Sequence, residues 1–234
     1  MKKYTNKTLA ALIIIIVLVA LSVPLLTWLF KGSLFTVRSN QNPTQISTEY
    51  LNYKGFNAID VQGVWNVQII PGDFAIELGN KQNAQYIGLS GQSLKLDNTL
   101  SSQNQETAEI IIHLPDITRL SMSGASKVSM TNFKQQTPVL LNLELSGATK
   151  LIVDKSIYKK IHITMSGASN VSFKSSELEQ VALDASGVSK LELNTFINGK
   201  LSGSASGATN ISYSGTLTEN TIQSSGAVNI HQSK

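Results

Sequence analysis

Leu141-Asn142-Leu143-Glu144-Leu145-Ser146-Gly147-Ala148-Thr149-Lys150-Leu151-Ile152-Val153 carries the pattern that decides the fold. Counted from Ser146, apolar side chains stand at odd offsets on both sides: Leu141, Leu143 and Leu145 before it, Leu151 and Val153 after it. Even offsets hold Glu144 and Lys150. Alternation of this kind marks a strand with one buried face. The same frame recurs around Ser123-Gly124, Ser166-Gly167, Ser186-Gly187, Ser206-Gly207 and Ser225-Gly226, at intervals of 23, 20, 20, 20 and 19 residues. A fixed period of this size means stacked units, none of which buries its apolar face alone. Helical repeats run longer, at about 33–47 residues. The expectation is an all-β chain, a parallel β-helix (β-solenoid) whose coils of ~20 residues lie about 4.8 Å apart.

Parity carried through the Ser-Gly dipeptide turns the Gly inward, together with the Ser or Thr two residues beyond it (Ser126, Thr149, Ser169, Ser189, Thr209). Gly124, Gly147, Gly167, Gly187, Gly207 and Gly226 are therefore expected as an inward structural column where the wall pinches or bends. The rest of each repeat reads as a polar turn with one apolar anchor, and the excess of the first interval falls within 131–138. Residues 56–115 read as less regular coils of the same body, with Gly63 in the inward-Gly role. An atypical start closes one end of such a stack, and the polar His231-Gln232-Ser233-Lys234 thinly caps the other.

Leu9 to Phe30 is uncharged over 22 residues, long enough for a bilayer core of about 30 Å. Lys2, Lys3 and Lys7 precede it, which keeps residues 1–8 in the cytoplasm and sends the C-terminal side of the segment outward. The segment 9–30 is expected as one transmembrane signal-anchor; a cleaved signal peptide with Ala20-Leu21-Ser22 at the cleavage site is the alternative. Either way the body is exported, as a single-pass inner-membrane protein with its C-terminal domain outside the cytoplasm or as a secreted one. Residues 31–54 are a polar linker, and 55–234 the β domain. The chain has no cysteine, which excludes disulfides, thiolate metal sites and a cysteine nucleophile. Much of the net charge of +4 comes from Lys2, Lys3, Lys7, Lys31, Arg38 and Lys54. The β domain is close to neutral, and nucleic acid is not an expected partner.

Candidate chemistry is sparse. His113, His162 and His231 lack metal-ligand spacing, and a Ser repeated in every unit is a structural column rather than a nucleophile. No cofactor or metal is expected. Glu144 and Asp184 occupy equivalent outward positions two coils apart, at roughly the 9–10 Å that suits an inverting glycosidase pair. That is the enzymatic alternative, a polysaccharide-degrading β-helix. The position four residues after each Ser gives an outward column of Lys127, Lys150, Asn170, Lys190 and Asn210. It is a candidate surface for glycan or another anion, weighed against a solvated face that discourages edge pairing.

Gly55-Phe56-Asn57-Ala58-Ile59-Asp60-Val61-Gln62-Gly63-Val64-Trp65-Asn66-Val67-Gln68-Ile69 and the later Ser-Gly-Ala-Ser/Thr-Lys/Asn-hydrophobic repeats together resemble the DUF2807 family, the putative auto-transporter adhesin head, or GIN, domain. The resemblance covers roughly residues 55–230. It implies a right-handed parallel β-helix in the bacterial envelope and supplies no catalytic residues. The expected function is a non-enzymatic module for adhesion, binding or scaffolding, with the membrane, an envelope or host glycan, or a protein as partner.

Overall fold

The computed structural model describes residues 49–100, 107–135 and 139–233, with the backbone alone at 49 and 195–197. The expected segments 1–8 and 9–30, and most of 31–54, lie outside the described residues. Among the described residues no helix is long and apolar enough to cross a membrane.

The domain is all-β. Its strands are β1 (Glu49–Leu51), β2 (Ala58–Gly63), β3 (Trp65–Pro71), β4 (Ala75–Leu78), β5 (Ile87–Ser90), β6 (Ser93–Asp97), β7 (Ala108–Leu114), β8 (Arg119–Gly124), β9 (Lys127–Thr131), β10 (Leu140–Leu145), β11 (Lys150–Asp154), β12 (Ile157–Met165), β13 (Asn170–Lys174), β14 (Glu177–Ala185) and β15 (Val188–Gln232). Each Ser-Gly repeat adds one strand to each of two parallel ladders. Before the dipeptide the ladder runs β6-β2-β8-β10-β12-β14-β15; after it, β7-β3-β9-β11-β13-β15. The odd-offset residues align as buried columns. Leu94, Ile59, Leu120, Leu143, Ile163 and Leu183 lie in successive register, each at most 1% exposed. On the other ladder Ile110, Val67, Val128, Leu151, Val171 and Leu191 lie in successive register, each at most 2% exposed. At about 1.5–3 kcal/mol for each fully buried aliphatic side chain, these columns are the main stabilising term. The excess of the first interval lies where expected: Lys134 pairs with Ile157, whereas Leu140 pairs with Lys160.

The glycines depart from the sequence reading. Gly124, Gly147, Gly167, Gly187, Gly207 and Gly226 are all exposed rather than inward. Each has a positive φ, +72° at Gly167, and this left-handed residue turns the corner between the two ladders, while the odd-offset positions on either side of it stay buried. A Cβ on Gly167 would lie 2.8 Å from the Gly147 carbonyl oxygen, so the stacking also requires a bare Cα. The rest of the motif serves the same corner. The Ala168 N–H donates to the Gly147 carbonyl at 2.9 Å, and the Ser169 hydroxyl reaches back to the Ser166 carbonyl at 2.7 Å. Ser189 and Thr209 repeat that bond at 2.9 and 2.8 Å, so the inward hydroxyls expected at this position are buried and satisfied.

Strand order departs from chain order at the start. β2 and β3 lie between β6–β7 on one side and β8–β9 on the other, so β6 and β7 form the outermost parallel rung. Antiparallel strands finish that end: β4 pairs with β7, β1 with β4, and β5 with β6. Glu49–Leu51, at the end of the expected linker, thus forms part of the sheet. At the foot of the glycine column stands Asn98, 5% exposed. Its side-chain Oδ1 accepts from the Val64 N–H at 2.8 Å and its Nδ2 donates to the Val64 carbonyl at 2.9 Å. One side-chain amide thereby takes the place of a peptide group in the ladder. At the opposite end, the last turn of β15 packs Ile222, Val228 and Ile230 partly buried against the core.

Two expectations arise from these contacts. Gly55 and Gly167 have nearly the same φ, +76° and +72°, but a Cβ at Gly55 meets nothing within 4 Å. Alanine at Gly55 then costs only the backbone term, about 1–2 kcal/mol, and alanine at Gly167 costs about 1–3 kcal/mol more from the contact; equal denaturation midpoints would refute the close-approach account. Replacing Asn98 by Ala strands both groups of Val64, at about 1–3 kcal/mol each. Asn98→Asp, which keeps the acceptor, should fall between Asn98→Ala and the native protein in a urea titration.

Candidate functional site

Because the side-chain period is two, every outward position also stacks into a column. On the ladder after the corner, Asn66, Lys127, Lys150, Asn170 and Lys190 follow one another in register. The column expected from the sequence is therefore brought together, with Glu109 and Asn66 added at its start, where the Asn66 amide donates to the Glu109 carboxylate at 3.3 Å. Asn210 continues it, its side-chain oxygen accepting from Asn229 at 3.4 Å. The members differ in their surroundings. Lys190 lies 2.6 Å from Glu192, whose carboxyl is held below its ordinary range by Lys190 first and by the Ser172 hydroxyl next. Lys127 and Lys150 are exposed neighbours on adjacent strands and have no ion-pair partner among the described residues. Two ammonium groups directly across a ladder repel, so this rung is a local excess of positive charge.

On the ladder before the corner, Asp60, Ser121, Glu144, Thr164, Asp184 and Ser204 form one outward column. Glu144 and Asp184 flank Thr164, as expected, but their environments differ. The imidazole of His162 lies 3.0 Å from Asp184, and Ser204 donates to the same carboxylate at 2.9 Å. These hydrogen bonds, His162 first, hold the Asp184 carboxyl below its ordinary 3.8. Asp60, the most enclosed of the three carboxylates, accepts from Ser93 at 2.5 Å and from Arg119 at 2.9 Å. Glu144 has Arg119 at 3.9 Å and no hydrogen-bond donor among the described residues. His162 faces outward as expected. Its partner, and the Arg119–Asp60 pair, were missed because each contact joins different repeats. The only local signal was the shared offset from Ser.

Asp184 supplies a pH test. A carboxyl whose folded value is depressed contributes stability above its unfolded value and loses it as pH falls through the folded one. The native protein should lose more thermal stability than Asp184→Asn as pH falls below 3.8. The difference should be small, since the Asp184 side chain is 55% exposed and solvent screens such pairs. Parallel melting curves across the acid range would remove the His162–Ser204 clamp from the account.

The fold has solved relatives. A putative adhesin from Bacteroides fragilis superposes with a TM-score of 0.63 at 17% identity, covering 80% of this chain and 96% of that one. A putative lipid binding protein from Parabacteroides distasonis aligns over the same shares at 14% identity, with a TM-score of 0.49. No curated protein sequence matches the chain. The family model described as DUF2807, "Putative auto-transporter adhesin, head GIN domain", matches residues 55–234, and the chain belongs to that family.

Proposed function

We propose that residues 55–234 form a right-handed parallel β-helix of ~20-residue coils, exported and held at the bacterial envelope by the segment 9–30. In this reading the domain is a non-enzymatic binding module whose ligand is an anionic glycan of the envelope or of a host surface. The adhesin family and the fold shared with the Bacteroides fragilis protein support a binding role. The observation that carries the ligand class is the Lys127–Lys150 rung, which has no ion-pair partner among the described residues and is flanked in register by the amides of Asn170 and of Asn66, the latter also donating to Glu109 at 3.3 Å. Strands about 4.8 Å apart present these groups at a regular spacing. An acidic group seated between the two ammoniums relieves their repulsion and accepts a charge-assisted hydrogen bond from each. The amides on either side donate to and accept from neighbouring hydroxyls.

Retention of the full-length protein, in detergent micelles, on immobilised alginate and heparin tests the reading. Exchange of Lys127 and Lys150 together for Gln should weaken retention about tenfold, which corresponds to about 1.4 kcal/mol. Raising the salt from 0.01 to 0.15 M shortens the screening length from about 30 to about 8 Å and should weaken the native protein's retention as well. Salt-independent retention unaffected by the double exchange would discard the lysine rung. Shortened polysaccharide products, abolished by Asp184→Asn, would establish the degrading enzyme in its place.

A further inference from the structure

The two ladders present different chemistry to solvent, and the lysine rung belongs to only one of them. On the other, the column Asp60, Ser121, Glu144, Thr164, Asp184, Ser204 alternates carboxylates and hydroxyls. Two of its three carboxylates are occupied by the protein: Asp60 by Ser93 and Arg119, Asp184 by His162 and Ser204. Glu144 is half-exposed and no described residue donates a hydrogen bond to it. It stands in a shallow depression of about 380 Å³ lined by Ser121, Ser146, Thr164 and Ser166.

The four hydroxyls are available. No protein group among the described residues is hydrogen-bonded to the side chains of Ser121 or Thr164. Ser146 and Ser166 reach the carbonyls of Met122 and Leu145 only at 3.4 and 3.5 Å, beyond the usual range for hydroxyl donors, so turning them toward a ligand sacrifices little. Arg119 is fixed by Asp60 one strand away, with its other nitrogen toward Glu144. An ionised carboxylate accepts only, while each serine or threonine hydroxyl both donates and accepts. Four hydroxyls lining one depression with a carboxylate that faces Arg119 at 3.9 Å but accepts no hydrogen bond from the described residues match a group that brings two adjacent hydroxyls for the carboxylate and further oxygens for the serines and threonine.

From this geometry we infer that Glu144, with Ser121, Ser146, Thr164 and Ser166, is a second binding site, and that its ligand is the vicinal diol of an uncharged sugar. The Glu144 oxygens accept from the two sugar hydroxyls, and the surrounding hydroxyls pair with the remaining ones. An acidic sugar is disfavoured here, because its charge would face both Glu144 and Asp184. No aromatic side chain lines the depression, so recognition rests on hydrogen bonds and is weak per site. This second site rests on the glycan-binding reading of the domain, but uses the other ladder and a ligand of different charge, so the two fail independently.

Ligand-observed saturation-transfer NMR on the full-length protein, with the methyl glycosides of mannose, galactose and glucose as probes, tests it. At least one of the three should bind, and Glu144→Gln should weaken it about tenfold while the thermal midpoint stays at the native value. Thr164→Val, which removes one hydroxyl at constant shape, should weaken the same sugar by a smaller factor. Absence of binding by all three sugars overturns the inference, even where retention on alginate persists. So does binding that Glu144→Gln leaves unchanged, or binding lost only when Lys127 and Lys150 are exchanged. Displacement of the sugar by methylamine better than by a second sugar would likewise overturn it, making Glu144 a cation site instead.

Discussion

At every Ser-Gly corner the backbone of one repeat lies almost against the backbone of the next. A Cβ built on Gly124, Gly147, Gly167, Gly187, Gly207 or Gly226 would stand 2.5–2.8 Å from the carbonyl oxygen of the preceding glycine in the column. That approach sets the height of a rung at one edge, and the left-handed φ beside it sets the angle between the two ladders. With both fixed, side chains on each ladder have no choice of register. Aliphatic residues stack inside and polar ones outside, since a slip by one residue would exchange the two faces. Two residues beyond Gly124, Gly167, Gly187 and Gly207 a buried hydroxyl then donates to a backbone carbonyl at the bend.

Much of this was legible in the sequence, because a twenty-residue period and odd-offset apolar positions survive as simple counts. The strand pairs of the repeats, the site of the loop excess and the column of Lys127, Lys150, Asn170 and Lys190 all lie where counting puts them. Counting failed at the glycine itself. Parity assumes that every residue advances the strand by the same rotation, and a residue at φ +72° does not. Reading the glycines as inward therefore put a pinch or bend at the right residue but its α-carbon on the wrong side of the wall. Asn98 reads in the sequence only as part of a turn, because its role depends on Val64, which no local pattern links to it.

The outward chemistry was legible only by column. The shared offset of Glu144 and Asp184 from their serines placed them correctly, yet it said nothing of His162 or Arg119, which decide what each carboxylate can still accept. Equivalent positions in a repeat are equivalent in geometry alone. Here one carboxylate is committed to protein donors and the other is open to solvent, through substitutions on the strand beside each. Repeat architectures tolerate such divergence well, because an outward side chain contributes little to the core that holds the stack.

The exchange of order at the beginning of the chain bears on how the domain comes to be folded. Ile59 pairs with Leu94 below it and Leu120 above it, so β2 leaves the ribosome before either neighbour is made. The later repeats meet their partners only about twenty residues on, and short loops close faster and at lower entropic cost than long ones. Assembly thus favours a start in the regular repeats, with the first-made strands waiting to be enclosed from both sides. Until then Ile59, Val61, Val67 and Ile69 carry their apolar faces uncovered, so these early strands of the domain are the ones most exposed to misassociation before the stack closes.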